Sequence, residues 1–263
     1  MIGMFDSGIG GLSVLRALRT LAPHVDVVYF GDTENAPYGE KSSREIATLV
    51  SMALRRLHAQ GATNIINACN SASVSALSEL IDLLRLNVFD VVEMVGPTVS
   101  TLAPLQKKIV LFGTPATIQA GLYQRAFEEL GITIDTVAIP PLADLIEKGA
   151  SAEEIRPVVE RAVKEAVERG AEIISFSCTH YPFVKNLFED ALQKEKSAAV
   201  LFDPAEAVAQ EAARRFGMEG NGTLRFLVSK ESPIFESHVE RLFGSAPYSI
   251  EPAGPIYWAL KTI

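Results

Sequence analysis

Residues 173–180 read IISFSCTH, an apolar run that ends at a cysteine followed by a hydroxyl and an imidazole group. Residues 65–71 read IINACNS and repeat the arrangement, with an amide and a hydroxyl after the cysteine. Cys69 and Cys178 are the only cysteines among the 263 residues. An α/β protein presents reactive side chains in this way, where a buried strand stops at the carboxyl edge of its sheet. The two stretches therefore predict an α/β fold with two such edges.

Around these stretches, short apolar runs alternate with longer segments of helical periodicity. That alternation is typical of βαβ units and a largely parallel sheet. We predict strands near 2–5, 26–30, 63–68, 88–95, 108–112, 133–138, 172–177, 199–202 and 224–228. We predict helices near 10–21, 42–59, 72–84, 117–130, 152–168, 183–193, 205–216 and 232–242. Ser42 with Glu45 and Ser151 with Glu154 have the spacing of capping boxes.

Two similar series of predicted strands follow each other along the chain. This predicts two similar domains, each a largely parallel sheet flanked by helices. With 48% hydrophobic residues, the chain is long enough for two cores. We place the first crossing between the domains near 95–100 and the return near 203. The first domain then comprises 1–95 plus 204–263 and the second comprises 96–203, so that each carries one cysteine.

Composition and charge indicate an ordinary soluble protein. A net charge of −8 argues against a nucleic-acid partner, because phosphate binding needs a basic face. No apolar run approaches the roughly 20 residues of a membrane span, and the first residues lack the features of a signal peptide. Two distant cysteines make neither a disulfide framework nor a metal-site spacing, which fits a reducing compartment. We therefore expect a cytoplasmic protein without nucleic-acid or membrane partners.

The first predicted strand leads into residues 5–11, FDSGIGG, and then into a helix. The N–H groups at a helix start bind anions without a cationic side chain. The stretch lacks the glycine spacing of a dinucleotide site and the Gly-Lys-Ser of a P-loop, so a nucleotide is a poor fit. A tight turn also explains the glycines, but packing does not require the carboxylate of Asp6, which favours a binding site.

The polar residues beside the two thiols limit the chemistry. His180 can lower the pKa of the Cys178 thiol or accept its proton. A Cys-His hydrolase remains possible but leaves Cys69 without a role. A phosphatase does not fit, because no arginine follows Cys178 closely enough to hold a phosphate. Two thiols presented alike favour a reaction that removes a proton on one side and supplies one on the other.

Three further sites have a structural and a functional interpretation. Tyr38, in the Pro- and Gly-containing loop of residues 30–42, can cover a small ligand or belong to a structural turn. Thr114 and Thr117 can contact a ligand or cap a helix. Glu147 follows an apolar run and is expected at a partly buried position.

Five segments of the chain together resemble the glutamate racemase family, within the cofactor-independent aspartate/glutamate-type racemases. They stand in the family's order: FDSGIGGLSVL at 5–15, FGDTENAPYGEKS at 30–42, ACNSAS at 68–73, GTPATIQAGLYQ at 113–124 and CTHYP at 178–182. The resemblance implies a two-domain α/β fold with the active site in the cleft between the domains. It also implies interconversion of L- and D-glutamate without pyridoxal phosphate or metal, so that no cofactor is expected. Family members commonly form dimers and supply D-glutamate for peptidoglycan, which gives a homodimer and that role as expectations.

The resemblance also implies roles for individual residues. Cys178 would deprotonate L-glutamate and Cys69 would deprotonate D-glutamate. Asp6 would assist beside Cys69, and His180 with Glu147 would assist beside Cys178. The implied substrate contacts are Asp6, Ser7, Tyr38, Gly39, Asn70, Ser71, Thr114, Thr117, Thr179 and His180.

The chain departs from the family pattern at four places. Ser71 stands where threonine is usual, and Ser177 stands where glycine is usual before the second cysteine. Gly96-Pro97 replaces Glu-Pro, and residues 139–147 are less apolar than usual. Three alternatives stay open: a related racemase for aspartate or another small acid, a two-domain binding protein without catalysis, and a thiol redox protein.

Overall fold

The computed structural model describes residues 1–75 and 91–254, and these contain two parallel sheets. The strands are β1 (Ile2–Asp6), β2 (Val27–Gly31), β3 (Asn64–Asn67), β4 (Val91–Val92), β5 (Ile109–Gly113), β6 (Asp135–Ala138), β7 (Ile173–Ser177), β8 (Val200–Phe202), β9 (Leu224–Val228) and β10 (Ser249–Pro252). The first sheet has the order β10-β9-β2-β1-β3-β4, and the second has the order β6-β5-β7-β8. All the pairings are parallel.

Helices connect most of the strands. They are α1 (Leu12–Leu21), α2 (Ser43–Ala59), α3 (Asn70–Ser75), α4 (Val95–Leu102), α5 (Pro115–Ala120), α6 (Leu122–Glu128), α7 (Leu142–Glu147), α8 (Ala152–Glu168), α9 (Lys185–Lys194), α10 (Ala205–Arg215) and α11 (Pro233–Phe243). Both predicted capping boxes are confirmed at the starts of α2 and α8. Every residue of β1, β2, β5 and β7 is buried, as expected where helices cover both faces of a parallel sheet.

The predicted strand over 88–95 is wrong at its carboxyl end. Residues 88–90 lie outside the described residues, the strand ends at Val92, and α4 begins at Val95. The Glu93 carboxylate explains the change, because it accepts hydrogen bonds from the N–H groups of Val95 and Gly96 at 2.5 and 2.6 Å. It thereby satisfies donors that a helix start leaves free.

Several other elements differ from the prediction. The helix expected over 117–130 divides into α5 and α6, because Gly121 adopts a left-handed φ of 68° between them. Helices α4 and α7 and strand β10 were not predicted. Of the helix expected over 72–84, the part after residue 75 lies outside the described residues.

The chain passes between the two sheets twice, after β4 and after β8. Strands from 2–92 and 224–252 form the first sheet, and strands from 109–202 form the second. After the second passage, α10 packs against α1. One apolar core contains buried residues from both sheets, including Met4 and Phe112. In the described part of the chain, no helix is long and apolar enough to cross a membrane.

Candidate active site

A narrow cavity that opens to solvent collects residues that follow strands of both sheets. Its lining consists of Ser7, Pro37, Tyr38, Gly39, Cys69, Asn70, Ser71, Thr114, Ala143, Cys178, Thr179 and His180. Both thiols therefore line the same cavity. The remaining predicted residues, Asp6, Thr117 and Glu147, lie behind the wall and contact residues that form it. The cavity thus brings together groups that are far apart in the sequence.

Cys178 stands at one end of a hydrogen-bonded series. Its Sγ lies 3.7 Å from Nδ1 of His180, and Nε2 of His180 lies 2.5 Å from Oε2 of Glu147. The same Glu147 oxygen accepts a hydrogen bond of 3.1 Å from the N–H of Ile9, which follows β1. The side chains of His180 and Glu147 are 3% and 11% exposed. The imidazole is therefore held between a thiol and a carboxylate, away from bulk water.

This arrangement changes the protonation of His180. Burial opposes the charged ring, but the hydrogen bonds and charges of Cys178 and Glu147 outweigh it and raise the pKa of His180 well above its ordinary value. A protonated imidazole beside a sulfur atom stabilises a thiolate. This side of the cavity therefore places a cationic donor beside the sulfur of Cys178.

Cys69 has different surroundings. Its Sγ lies 3.7 Å from the hydroxyl of Ser7. Burial raises the pKa of Cys69 to about 12, with a further contribution from the charge of Asp6. This side of the cavity therefore favours a neutral thiol that still carries its proton.

Asp6 lies between the two sides. Its carboxylate accepts hydrogen bonds from the N–H of Gly8 at 2.9 Å and from the hydroxyl of Thr179 at 3.1 Å. Burial raises the pKa of Asp6, although the charge of His180 opposes the change. The residue predicted to assist Cys69 thus also contacts Thr179, the neighbour of Cys178.

Two glycines allow the halves of the site to approach closely. A Cβ at Gly10 would lie 2.3 Å from Oγ1 of Thr179 and 2.8 Å from Nδ1 of His180. A Cβ at Gly39 would lie 2.5 Å from Cγ2 of Thr114. Neither position has room for a side chain without movement of a residue from the opposite sheet.

Three hydroxyls form a closed group at one end of the cavity. The Ser71 oxygen lies 3.0 Å from that of Thr114 and 3.3 Å from that of Thr117, and the two threonine oxygens are 3.0 Å apart. Thr114 also caps α5 through the N–H of Thr117, so its structural and functional interpretations are compatible. Beside them, Asn70 is 2% exposed, and its Nδ2 has no hydrogen-bond partner among the described residues. This end of the cavity offers donors to an anion.

Two residues that support the site were not among those predicted from the sequence. Asp32 is buried and accepts a hydrogen bond of 2.6 Å from the hydroxyl of Tyr38, which lines the cavity. Its position directly after β2, like that of Asp6 at the end of β1, was an available signal. Tyr123 donates a hydrogen bond of 2.5 Å to Oδ1 of Asn70. Its place in the segment 113–124 gave no indication of that contact.

Within residues 1–75 and 91–254, no group of three or more His, Cys, Asp and Glu side chains has an arrangement that could hold a metal ion.

Residues 11–212 match the Asp/Glu/Hydantoin racemase family model. The chain is 33% identical over 265 residues to a glutamate racemase of Desulforudis audaxviator, with 94% of each chain covered. Its fold is similar to that of Thermus thermophilus glutamate racemase in complex with beta-chloro-D-alanine, with a TM-score of 0.80, 32% identity and 95% of each chain covered. It is also similar to Francisella tularensis glutamate racemase in complex with D-glutamate, with a TM-score of 0.83, 25% identity and coverage of 95% of this chain and 96% of that one.

Proposed function

This chain belongs to the Asp/Glu/hydantoin racemase family, and we propose that it interconverts L- and D-glutamate by a two-thiol mechanism that needs no cofactor. One observation carries the proposal: two buried thiols line a single cavity, and among the described residues only Cys178 has an imidazole beside it. The full-length similarity to glutamate racemases supports glutamate as the substrate.

In the direction from L- to D-glutamate, the Cys178 thiolate removes the proton from Cα. The C–H bond breaks, its electron pair stays on Cα and the proton forms an S–H bond on Cys178. The Cys69 thiol then delivers its proton to the opposite face of Cα and becomes a thiolate. The reverse direction begins with a Cys69 thiolate and a Cys178 thiol. Each cycle therefore inverts Cα without net consumption of a proton.

The surroundings of the two thiols suit this division of roles. His180, with Glu147 behind it, stabilises the negative charge on Cys178, while burial keeps the proton on Cys69. The charge of Asp6 raises the pKa of Cys69, which supports an assisting role beside that thiol, and Asp6 also accepts a hydrogen bond from Thr179, the neighbour of Cys178. In this proposal the free enzyme has Cys178 as the thiolate and Cys69 as the thiol, which is the state that reacts with L-glutamate. Reaction with D-glutamate first requires one proton to move from Cys69 to Cys178.

Substrate binding depends on local donors, because the chain as a whole is acidic. Asn70 offers its free amide group, and Ser71, Thr114 and Thr117 offer hydroxyls. Tyr38, Gly39, Ser7, Thr179 and His180 complete the proposed contacts. Fixed donors around a developing negative charge stabilise a carbanion-like transition state without reorganisation of water. Such stabilisation is needed because the Cα proton of an amino acid is far less acidic than a thiol.

Three wider proposals follow from the family. The protein acts in the cytoplasm, as a homodimer, and supplies D-glutamate for peptidoglycan. The segments 1–95 with 204–263, and 96–203, form its two domains, with the substrate bound in the cleft between them. The distribution of strands between the sheets supports this division.

The proposal is tested by incubating the purified protein with L- or D-glutamate in deuterium oxide, without added cofactor. We expect racemisation together with deuterium at Cα. Cys69→Ser and Cys178→Ser should each abolish racemisation. Cys69→Ser should retain exchange with L-glutamate at most, and Cys178→Ser should retain exchange with D-glutamate at most. Normal turnover in either variant would exclude the two-thiol mechanism. If neither enantiomer of glutamate exchanged its Cα hydrogen but aspartate did, aspartate would be the substrate instead.

A further inference from the structure

Tyr123 connects the two halves of the site from behind the cavity wall. It lies on α6 beside the second sheet, is fully buried and does not line the cavity. Its hydroxyl lies 2.5 Å from Oδ1 of Asn70, the first residue of α3 beside the first sheet. Burial raises the pKa of Tyr123, and the charge of Glu93 raises it further. The phenol therefore keeps its proton and remains a hydrogen-bond donor.

Two buried hydroxyls, those of Thr98 and Ser177, lie near the phenol, and each lowers its pKa. The Thr98 hydroxyl donates to the carbonyl oxygen of Met94 at 2.6 Å, and the Ser177 hydroxyl has no hydrogen-bond partner among the described residues. The phenol itself donates its proton to Oδ1 of Asn70. Loss of the phenol would leave that buried amide oxygen without its donor, which is costly.

The contact ties the cavity wall to the second sheet. Asn70 directly follows Cys69 and lines the cavity, whereas Tyr123 holds its amide oxygen from α6. The NH₂ group of the Asn70 amide has no hydrogen-bond partner among the described residues and is left as a buried donor.

We propose that Tyr123 is a positioning residue that holds the Asn70 amide with its NH₂ group toward a carboxylate of the bound substrate. The inference rests on the proposed function, because it takes a carboxylate-bearing amino acid as the ligand. Tyr123 does not touch the substrate and acts through Asn70. Its loss should weaken substrate binding more than it slows proton transfer.

The test is a double-mutant cycle with Tyr123→Phe, Asn70→Ala and the double variant. We expect each single variant to raise the KM for glutamate about tenfold, the size expected for loss of one buried hydrogen bond to a charged group, with kcat changed less than threefold. The double variant should have the KM of Asn70→Ala alone, because Tyr123 has nothing left to position.

A merely structural role would give a different pattern. In that case the effects of Tyr123→Phe and Asn70→Ala on KM would multiply, or Tyr123→Phe would lower the melting temperature while KM stayed unchanged. Either result would overturn the inference.

Binding can be measured without turnover by titrating D-glutamate into Cys69→Ser, with and without Tyr123→Phe. If the wild-type protein neither exchanges nor racemises glutamate, the proposed function fails. Weaker binding on loss of the Tyr123 hydroxyl would still support the positioning role, and unchanged binding would contradict it.

Discussion

Replacement of Gly10 by alanine tests the close contact between the two halves of the site. The new Cβ would lie 2.3 Å from Oγ1 of Thr179, whereas ordinary contacts begin near 3.4 Å. Thr179 must therefore move by about 1 Å, and Nδ1 of His180, at 2.8 Å, must move as well. Because Thr179 is buried and donates to Asp6, that movement disturbs their hydrogen bond.

The expected magnitudes follow from these distances. Overpacking costs about 1 to 3 kcal/mol, and loss of a hydrogen bond to a charged group costs about 1.5 to 3 kcal/mol. A combined loss of about 3 kcal/mol lowers the melting temperature of a chain of this size by about 10 °C. Displacement of catalytic groups by about 1 Å lowers kcat/KM about 100-fold.

Thermal denaturation followed by circular dichroism measures the first quantity, and polarimetric racemisation assays measure the second. Gly217→Ala is a matched control, because no atom lies within 4 Å of a Cβ built there. If Gly10→Ala matched Gly217→Ala in both melting temperature and kcat/KM, the close packing inferred at Gly10 would be wrong.

Two further predictions concern pH and local stability. The raised pKa of His180 stabilises the fold fully below its unfolded pKa of about 6.5, and this contribution is lost as pH rises through the folded value. Glu147→Gln should therefore lower the free energy of unfolding most below about pH 6.5 and progressively less at higher pH, as measured by urea unfolding. A loss of stability that grew with pH would contradict the ion pair between His180 and Glu147. Ser42→Ala removes the α2 capping box and should lower the free energy of unfolding by about 1 kcal/mol and the melting temperature by about 3 °C. It should leave kcat/KM unchanged. A loss of activity in the folded variant would show that α2 influences the site.

Much of the fold could be predicted because buried parallel strands are continuous apolar runs. The strands β1, β2, β5 and β7 are of this kind and were all expected close to their observed positions. Edge strand β10, with the sequence SIEP, is half-exposed and has no such pattern. The strand before α4 was predicted to run on to residue 95, and α4 was not predicted, because the helix start depends on the side chain of Glu93, which an apolar pattern does not reveal.

The site was predictable to the extent that its residues follow strands. Asp6, Cys69, Thr114 and Cys178 all stand at or just after strand ends, and the carboxyl ends of parallel strands meet at one edge of each sheet. Tyr123 is different, because its importance comes from the contact with Asn70, which is distant in sequence. Residues that act through another residue are found only once the fold brings the two together.

The order of strands in the first sheet has a consequence for synthesis of the chain on the ribosome. The described strands of the second sheet have all left the ribosome once Phe202 has emerged. The first sheet begins earlier in the sequence but still lacks β9, so one edge of β2 stays unpaired until Val228 is available. Unpaired strand edges promote aggregation of partly folded chains. The half of the protein that is translated first is therefore the half whose sheet is completed last.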